Sequence, residues 1–183
     1  MIHVGTEIIN TDRLILRRFT LDDVDKLYKN WANDSDVVKF MRMNPHINVD
    51  DTKEFVESII NKYDKLDTYR WIIILKVIDE PIGFIGLTTI SEYDMTADFG
   101  YSIGKPFWNK GYTTEALIAV LSYGLQVIGF NRLEAYHSIN NMPSGKVMKK
   151  SGMTYEGRAR QKYKSNLGFE DCDMYSIIKK DID

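Results

Sequence analysis

The run Trp71-Ile72-Ile73-Ile74-Leu75-Lys76-Val77 constrains the fold more than any other part of the chain. A strand with one wet face alternates apolar and polar residues; this one is continuously apolar and rich in β-branched side chains. It therefore reads as a central strand buried on both faces, in a sheet that needs cover on each side. Asp79-Glu80-Pro81 reads as the turn into a hairpin partner, Ile82-Gly83-Phe84-Ile85-Gly86-Leu87. A first strand is expected over 13–19. Thr20 and Asp23 form a variant capping box for a helix over 21–32, whose buried stripe is Val24, Leu27, Tyr28 and Trp31. Asp50 or Asp51 is expected to cap a second helix carrying Phe55, Val56, Ile59, Ile60 and Tyr63. Further strands are expected over 97–103 and 133–138 and near 153–157 and 173–179. A long helix should end near 127, and a short one over 145–150 should stop at Gly152. With 183 residues, 44% of them hydrophobic, the expectation is a single mixed α/β domain over 1–183.

A formal net charge of −2 gives no global reason to expect DNA or a membrane surface as partner. The single Cys172 excludes an internal disulfide framework and suits a reducing compartment. No apolar run approaches the ~20 residues that span a bilayer, and the N-terminus lacks a signal-type apolar core. A soluble cytoplasmic protein is expected. Three scattered histidines and one cysteine imply no metal site.

Trp108-Asn109-Lys110-Gly111-Tyr112-Thr113-Thr114-Glu115-Ala116 follows the strand at 97–103 and opens the long helix. Strand, tight turn, helix is an order that leaves first-turn N–H groups unpaired, with the positive end of the helix dipole behind them. Such a place binds phosphate. Neither Gly-x-x-x-x-Gly-Lys-[Ser/Thr] nor a strand-following Gly-x-Gly-x-x-Gly occurs here, so the two common nucleotide loops are not the source of the signal.

Five stretches in order resemble the GNAT superfamily of acyl-CoA-dependent N-acetyltransferases, and within it the ribosomal-protein N-terminal (Rim-type) branch. They are Thr11-Asp12-Arg13-Leu14-Ile15-Leu16-Arg17, Gly100-Tyr101-Ser102-Ile103, the 108–116 segment, Asn141-Met142-Pro143-Ser144 with Lys149-Lys150-Ser151-Gly152-Met153, and Gly168-Phe169-Glu170-Asp171 leading into Tyr175-Ser176. The resemblance implies a GNAT-like fold: a mostly antiparallel sheet of about seven strands, splayed between the fourth and fifth and flanked by about four helices. It implies acetyl-CoA as cosubstrate and no metal. Its phosphate-turn pattern, Arg/Gln-x-x-Gly-x-Gly/Ala, has Trp108 at the first position here and Thr113 at the last.

On that resemblance, Asn109, Lys110, Gly111, Tyr112, Thr113 and Thr114 cradle the pyrophosphate, while the main chain of Tyr101, Ser102 and Ile103 pairs with pantetheine like an added strand. Asn141 contacts the same arm, and Ser144 steadies the departing thiolate. Many members carry a tyrosine four residues further on as acid; here that position is Met148. Asp98 is the expected general base, His137 being the alternative on its chemistry alone. Trp31, Tyr28 and Phe40 fall where relatives wall the acceptor pocket.

Seven basic residues against one acidic lie between 146 and 164; of these Lys146 and Lys149 are placed toward the 3′-phosphate of CoA. A solvated face and contact with RNA are the other readings of that segment. The preferred acceptor is a protein N-terminal α-amine, attacked directly in a ternary complex. A small amine (polyamine, amino acid or antibiotic) as acceptor, or a non-catalytic CoA-binding sensor, are the alternatives; pairing into a homodimer is left open.

Overall fold

A computed structural model describes residues 1–182. Eight strands form one sheet: β1 (Ile9–Asn10), β2 (Leu14–Arg17), β3 (Tyr69–Leu75), β4 (Glu80–Ser91), β5 (Thr96–Ile103), β6 (Arg132–Ser138), β7 (Thr154–Ser165) and β8 (Gly168–Ile178). Their order is β1-β2-β3-β4-β5-β6-β8-β7, antiparallel throughout except for β5 against β6. The run read as a buried strand over 71–77 is interior from Tyr69 to Leu75 only; Lys76 and Val77 lie exposed in the turn that follows. Tyr69, Trp71, Ile73 and Leu75 pack into the core on one face, Ile72 and Ile74 into the core on the other.

Helix α1 (Val24–Leu27) is entered through a tight turn at Leu21–Asp23 and continues into a wide turn at Tyr28–Ala32. The Thr20 N–H donates to Asp23 Oδ2 at 2.8 Å, and Asp23 in turn takes both arms of Arg17 at 2.6 and 2.8 Å. Helix α2 (Ser35–Val38), four residues long, falls where only a loop was expected; its Asp34 cap accepts from the Asp36 N–H. Helix α3 (Val49–Ile60) is capped by Asn48 and not by Asp50 or Asp51. Asn48 Oδ1 accepts from the Asp51 N–H, and Asp51 answers at the Asn48 N–H. These helices cover the face of Ile72 and Ile74, with Trp31 and Val56 wholly buried among them.

Helix α4 (Tyr112–Ser122) runs on into a wide turn at Tyr123–Ile128 and, with α5 (Met142–Lys150), covers the other face through Ala116, Leu117, Val120, Leu121 and Met148. Gly152 stands past the end of α5 at φ 85°. Its N–H donates to Lys149 O and that of Met153 to Met148 O, which closes the helix as expected of a left-handed C-cap.

Two boundaries depart from the sequence reading. Pro81 lies inside β4, opposite Ile74, where the ladder slips between Ile73 and Ile74; the slip accommodates a residue with no N–H to give. The last two strands are also far longer than expected. β7 is the sheet's edge and carries Arg158, Arg160, Lys162 and Lys164 at alternate positions, all exposed, a pattern that discourages edge pairing but masks a strand from a hydrophobicity reading.

Candidate active site

The turn before α4 owes its shape to two left-handed residues, Asn109 at φ 60° and Gly111 at φ 80°. A non-glycine residue is rarely stable there, so Gly111 sets where the helix begins. Trp108 Nε1 donates back to Ile103 O at 2.7 Å and ties the turn to the end of β5. Among the described residues no acceptor takes the amides of Asn109 to Thr114, so a run of N–H groups and the helix dipole face outward together. The same helix end is held from behind. Glu115 accepts from Thr11 Oγ1 (2.6 Å), the Arg13 N–H (2.8 Å) and Arg13 Nε (2.6 Å), while Arg13 Nη1 reaches Lys110 O. Burial pushes the Glu115 carboxyl up, but these donors outweigh it and hold the group below its ordinary value. That clamp is why a Thr-x-Arg segment at the start of the chain and a glutamate in α4 occur together.

β5 and β6 pair in parallel only at Thr96↔Arg132, Ala97↔Leu133 and Asp98↔Glu134, and beyond this they part. A cleft of about 960 Å3 occupies the gap and reaches both faces of the sheet. From residue 99 onward β5 has no strand on that side, so its alternate N–H and C=O groups are free to bind an extended ligand. On the α5 side the Tyr101 hydroxyl lies 2.9 Å from Ser144 Oγ and donates to Ser144 O at 3.0 Å. Burial raises the pKa of this phenol, which therefore remains a protonated donor. Tyr101 was expected to contribute only its main chain. Met148 is buried in the core, and the phenol that stands beside Ser144 comes from β5.

The opposite side has a different character. Gly86 and Gly100 are partners across β4 and β5, and Arg70 on β3 is the partner of Gly86, so the three form one row. A Cβ on Gly86 would meet Arg70 Nη1 at 2.5 Å, whereas one on Gly100 would meet nothing within 4 Å. The glycines therefore leave a hollow floored by main chain, with the Arg70 side chain laid across β4 at its edge. Asp98 stands in the next row, between Thr88 and Glu134. Burial pushes its carboxyl up; Arg70 opposes the shift and Glu134 adds to it. Tyr136, Tyr163, Phe40 and Arg42 complete the lining. Glu170, buried, accepts from the hydroxyls of Ser138 and Ser165 and from Asn140 Nδ2 at 3.3 Å, pinning the end of β6 to the β7–β8 turn.

The cleft brings together Asp98, Tyr101, Ser102, Ile103, Trp108, Asn109, Gly111, Thr113, Thr114, Asn141, Ser144, Lys146 and Phe40 of the residues expected from sequence. Lys110, Tyr112 and Lys149 do not line it. Arg13 covers the Tyr112 ring at 4.6 Å, Lys110 Nζ lies 5.9 Å from the Phe107 ring, and Lys149 borders a separate hollow with Tyr155 and Asp173. Trp31 and Tyr28 also stand apart. Trp31 is wholly buried and donates from Nε1 to Ser102 Oγ at 2.7 Å, and the Tyr28 hydroxyl is bound to Ile47 O. Trp31 is core, while Tyr28 is half-buried and belongs to neither side of the core. His137 is buried with Nδ1 2.7 Å from Ser138 O, and its Nε2 is crowded by Gly145. Sequence reasoning missed Arg42, Arg70, Tyr136 and Tyr163; paired glycines on adjacent strands were the available signal. Among the described residues no three His, Cys, Asp or Glu side chains gather as a metal would need, and no helix is long and apolar enough to cross a membrane.

An amide-lined helix start beside a parted pair of strands defines a class, and comparison with known proteins places the chain within it. The acetyltransferase (GNAT) domain profile matches residues 13–154, and the chain belongs to that family. It is 31% identical over 175 residues to the uncharacterized N-acetyltransferase p20 of Bacillus licheniformis, covering 96% of this chain and 98% of that one. A GNAT-family acetyltransferase from Bacillus anthracis superposes with a TM-score of 0.82 at 26% identity, over 95% and 99% of the two chains. The ribosomal L7/L12 alpha-N-protein acetyltransferase RimL, in complex with coenzyme A, also gives 0.82, at 20% identity over 94% and 98%. The protein is an acetyl-CoA-dependent N-acetyltransferase.

Proposed function

We propose that the acceptor is the α-amine of a protein N-terminus and that the two reactants meet inside the parted sheet. The observation that carries this reading is the cleft's passage through the gap between β5 and β6, with unspent amides at one end and Asp98 with the glycine-floored hollow at the other. An N-terminal acceptor is what RimL, of the same fold, is named for. The residues fit CoA: the Asn109–Thr114 amides suit a diphosphate, Lys146 on α5 suits a further phosphate, and the free edge of β5 suits the amides of pantetheine.

When bound, acetyl-CoA supplies an activated acyl carbonyl. The free N–H groups of β5 polarise its oxygen; the Ser144 hydroxyl, 2.9 Å from the phenol of Tyr101, turns its single proton from that phenol to the sulfur as the thiolate departs. Asp98, whose carboxyl burial pushes above its ordinary value, takes the proton of the amine directly or through water. Holding both reactants side by side supplies much of the rate. Cys172 is buried beside Glu170 O, and burial pushes its thiol up to about 11, so it is a poor acyl carrier and direct transfer is favoured.

The test is transfer of labelled acetyl to unblocked peptides, matched Nα-blocked peptides containing lysine, and small amines, with CoA binding read by calorimetry. Label on the unblocked peptides supports the proposal. Label confined to polyamines, amino acids or antibiotics replaces the acceptor, and heat of CoA binding with no transfer to anything makes the protein a sensor.

A further inference from the structure

The charge around the acceptor hollow runs against that of the whole chain, which is formally −2. Arg70 lies at its floor. Its guanidinium donates to Tyr69 O (3.1 Å), Leu87 O (2.6 Å) and Thr88 Oγ1 (2.8 Å), which leaves two of its five N–H donors unspent. At the mouth, Arg42 stands 4.6 Å over the Tyr163 ring, Lys162 Nζ 5.7 Å from the Tyr136 ring and Lys39 Nζ 5.5 Å from that of Phe40. Among the described residues none of these four cations has a carboxylate within 4.0 Å, whereas Arg13, Arg17, Lys105, Arg132 and Arg158 all do.

The nearby acids are already committed: Asp36 to Lys105, Glu134 to Arg132, and Glu170 to two hydroxyls and an amide. Asp171, opposite the 160–162 bulge of β7, takes the Gln161 N–H at 2.9 Å, and Asp98 faces the reacting end. The mouth is also held in place. The Asn166 N–H donates to Met41 O at 3.2 Å and Asn166 Nδ2 to Met43 O at 2.8 Å, so the β7–β8 turn clasps the segment that presents Arg42. Cations parked on aromatic faces with no anion of their own form a site ready for one.

We propose that this enzyme selects acidic N-termini: the α-amine faces Asp98 while carboxylates in the next few residues engage Arg70, Arg42 and Lys162. The proposal rests on the N-terminal acceptor reading above. An extended chain advances about 3.3 Å per residue, so side chains at the second to fourth positions reach from the hollow to its mouth.

The test uses the full chain with acetyl-CoA and three peptides of one length and one first residue, carrying Asp/Glu, Asn/Gln or Lys at positions two to four. Two or three partly screened charge pairs predict roughly a tenfold advantage in kcat/KM for the acidic peptide over the neutral one, carried by KM and shrinking in high salt. The basic peptide should come last. Arg42→Glu and Lys162→Glu, both at exposed positions, should narrow or invert the order, with CoA binding read in parallel to report an intact fold. Equal kcat/KM for the three peptides overturns the acidic preference while N-terminal transfer stands. A preference untouched by either reversal overturns the assignment of these cations. Transfer to small amines with none to any peptide removes the acceptor reading and this inference together.

Discussion

The two ends of the cleft recognise their ligands by different means. At the α4 end the donors are main-chain N–H groups supplied by one contiguous segment and shaped by Asn109 and Gly111. At the hollow the available groups are side chains from β3, β5, β6, β7 and the segment after α2, gathered around bare main chain at Gly100, with Arg70 lying over Gly86. A main-chain cradle reads a feature every CoA shares and tolerates changes of residue type. A side-chain collar can be rewritten one substitution at a time, so one scaffold can retain its cosubstrate while its acceptor changes.

This contrast breaks if substitutions at one end act equally at the other. The largest effect is expected from Asp98→Asn, which should lower kcat by about 100- to 1,000-fold, within the range for a positioned general base, with CoA affinity intact. Because burial raises the Asp98 pKa, the wild-type rate should climb only as pH passes above the ordinary carboxylate range. A pH–rate profile of the variant that kept that ascending limb would remove Asp98 from the role. Next come two glycine substitutions with opposite expected consequences. Gly111→Val puts a β-branched residue at φ 80° with its Cβ 3.3 Å from Arg13 Nη2, and calorimetry should show CoA bound about tenfold more weakly, since such strain costs about 1–3 kcal/mol. At Gly100 an added Cβ meets no atom within 4 Å, so Gly100→Val should project into the hollow and raise acceptor KM by a similar factor while CoA affinity holds. Equal loss of CoA binding in both would show that the ends are not separable.

The smallest effect concerns the clamp behind the cradle. Glu115→Gln should cost about 1–3 kcal/mol, or roughly 2–4 °C in Tm for each kcal/mol in a chain of this size. Glu115 is held below its ordinary value of 4.5, so its contribution is complete above that pH and fades as pH falls through the lowered value. Melting curves of wild type and variant should therefore converge in acid, and a gap constant with pH would contradict the clamp.

The parts of the structure legible in the sequence were those whose cause is local. The buried run at 71–75, the Thr20–Asp23 box, the glycine before α4 and the left-handed stop at Gly152 each follow from neighbours within a few positions. Errors arose where local signals competed or vanished. Asn48 precedes two aspartates that looked equally able to cap α3, and α2 is too short to show a period. In β7, alternating cations hid a strand whose partner lies across a turn. Trp31 was misplaced because helical spacing says which side chains share a face, not whether that face meets core or cleft.

The amide-rich turn at 108–114 and the order of the longer elements, though not the short β1 and α2, were legible in sequence, because backbone geometry there depends on contiguous residues. Only the tertiary structure decided where the sheet parts, that Tyr101 meets Ser144, and that Arg42 and Arg70 line one hollow with Lys162 set against its Tyr136 ring. Those facts depend on register between strands far apart in the chain. A slip of one residue in β3, β5 or β7 would send that strand's side chain, Arg70, Tyr101 or Lys162, to the other face, whereas Arg42 is placed by the hold of Asn166 on the segment after α2.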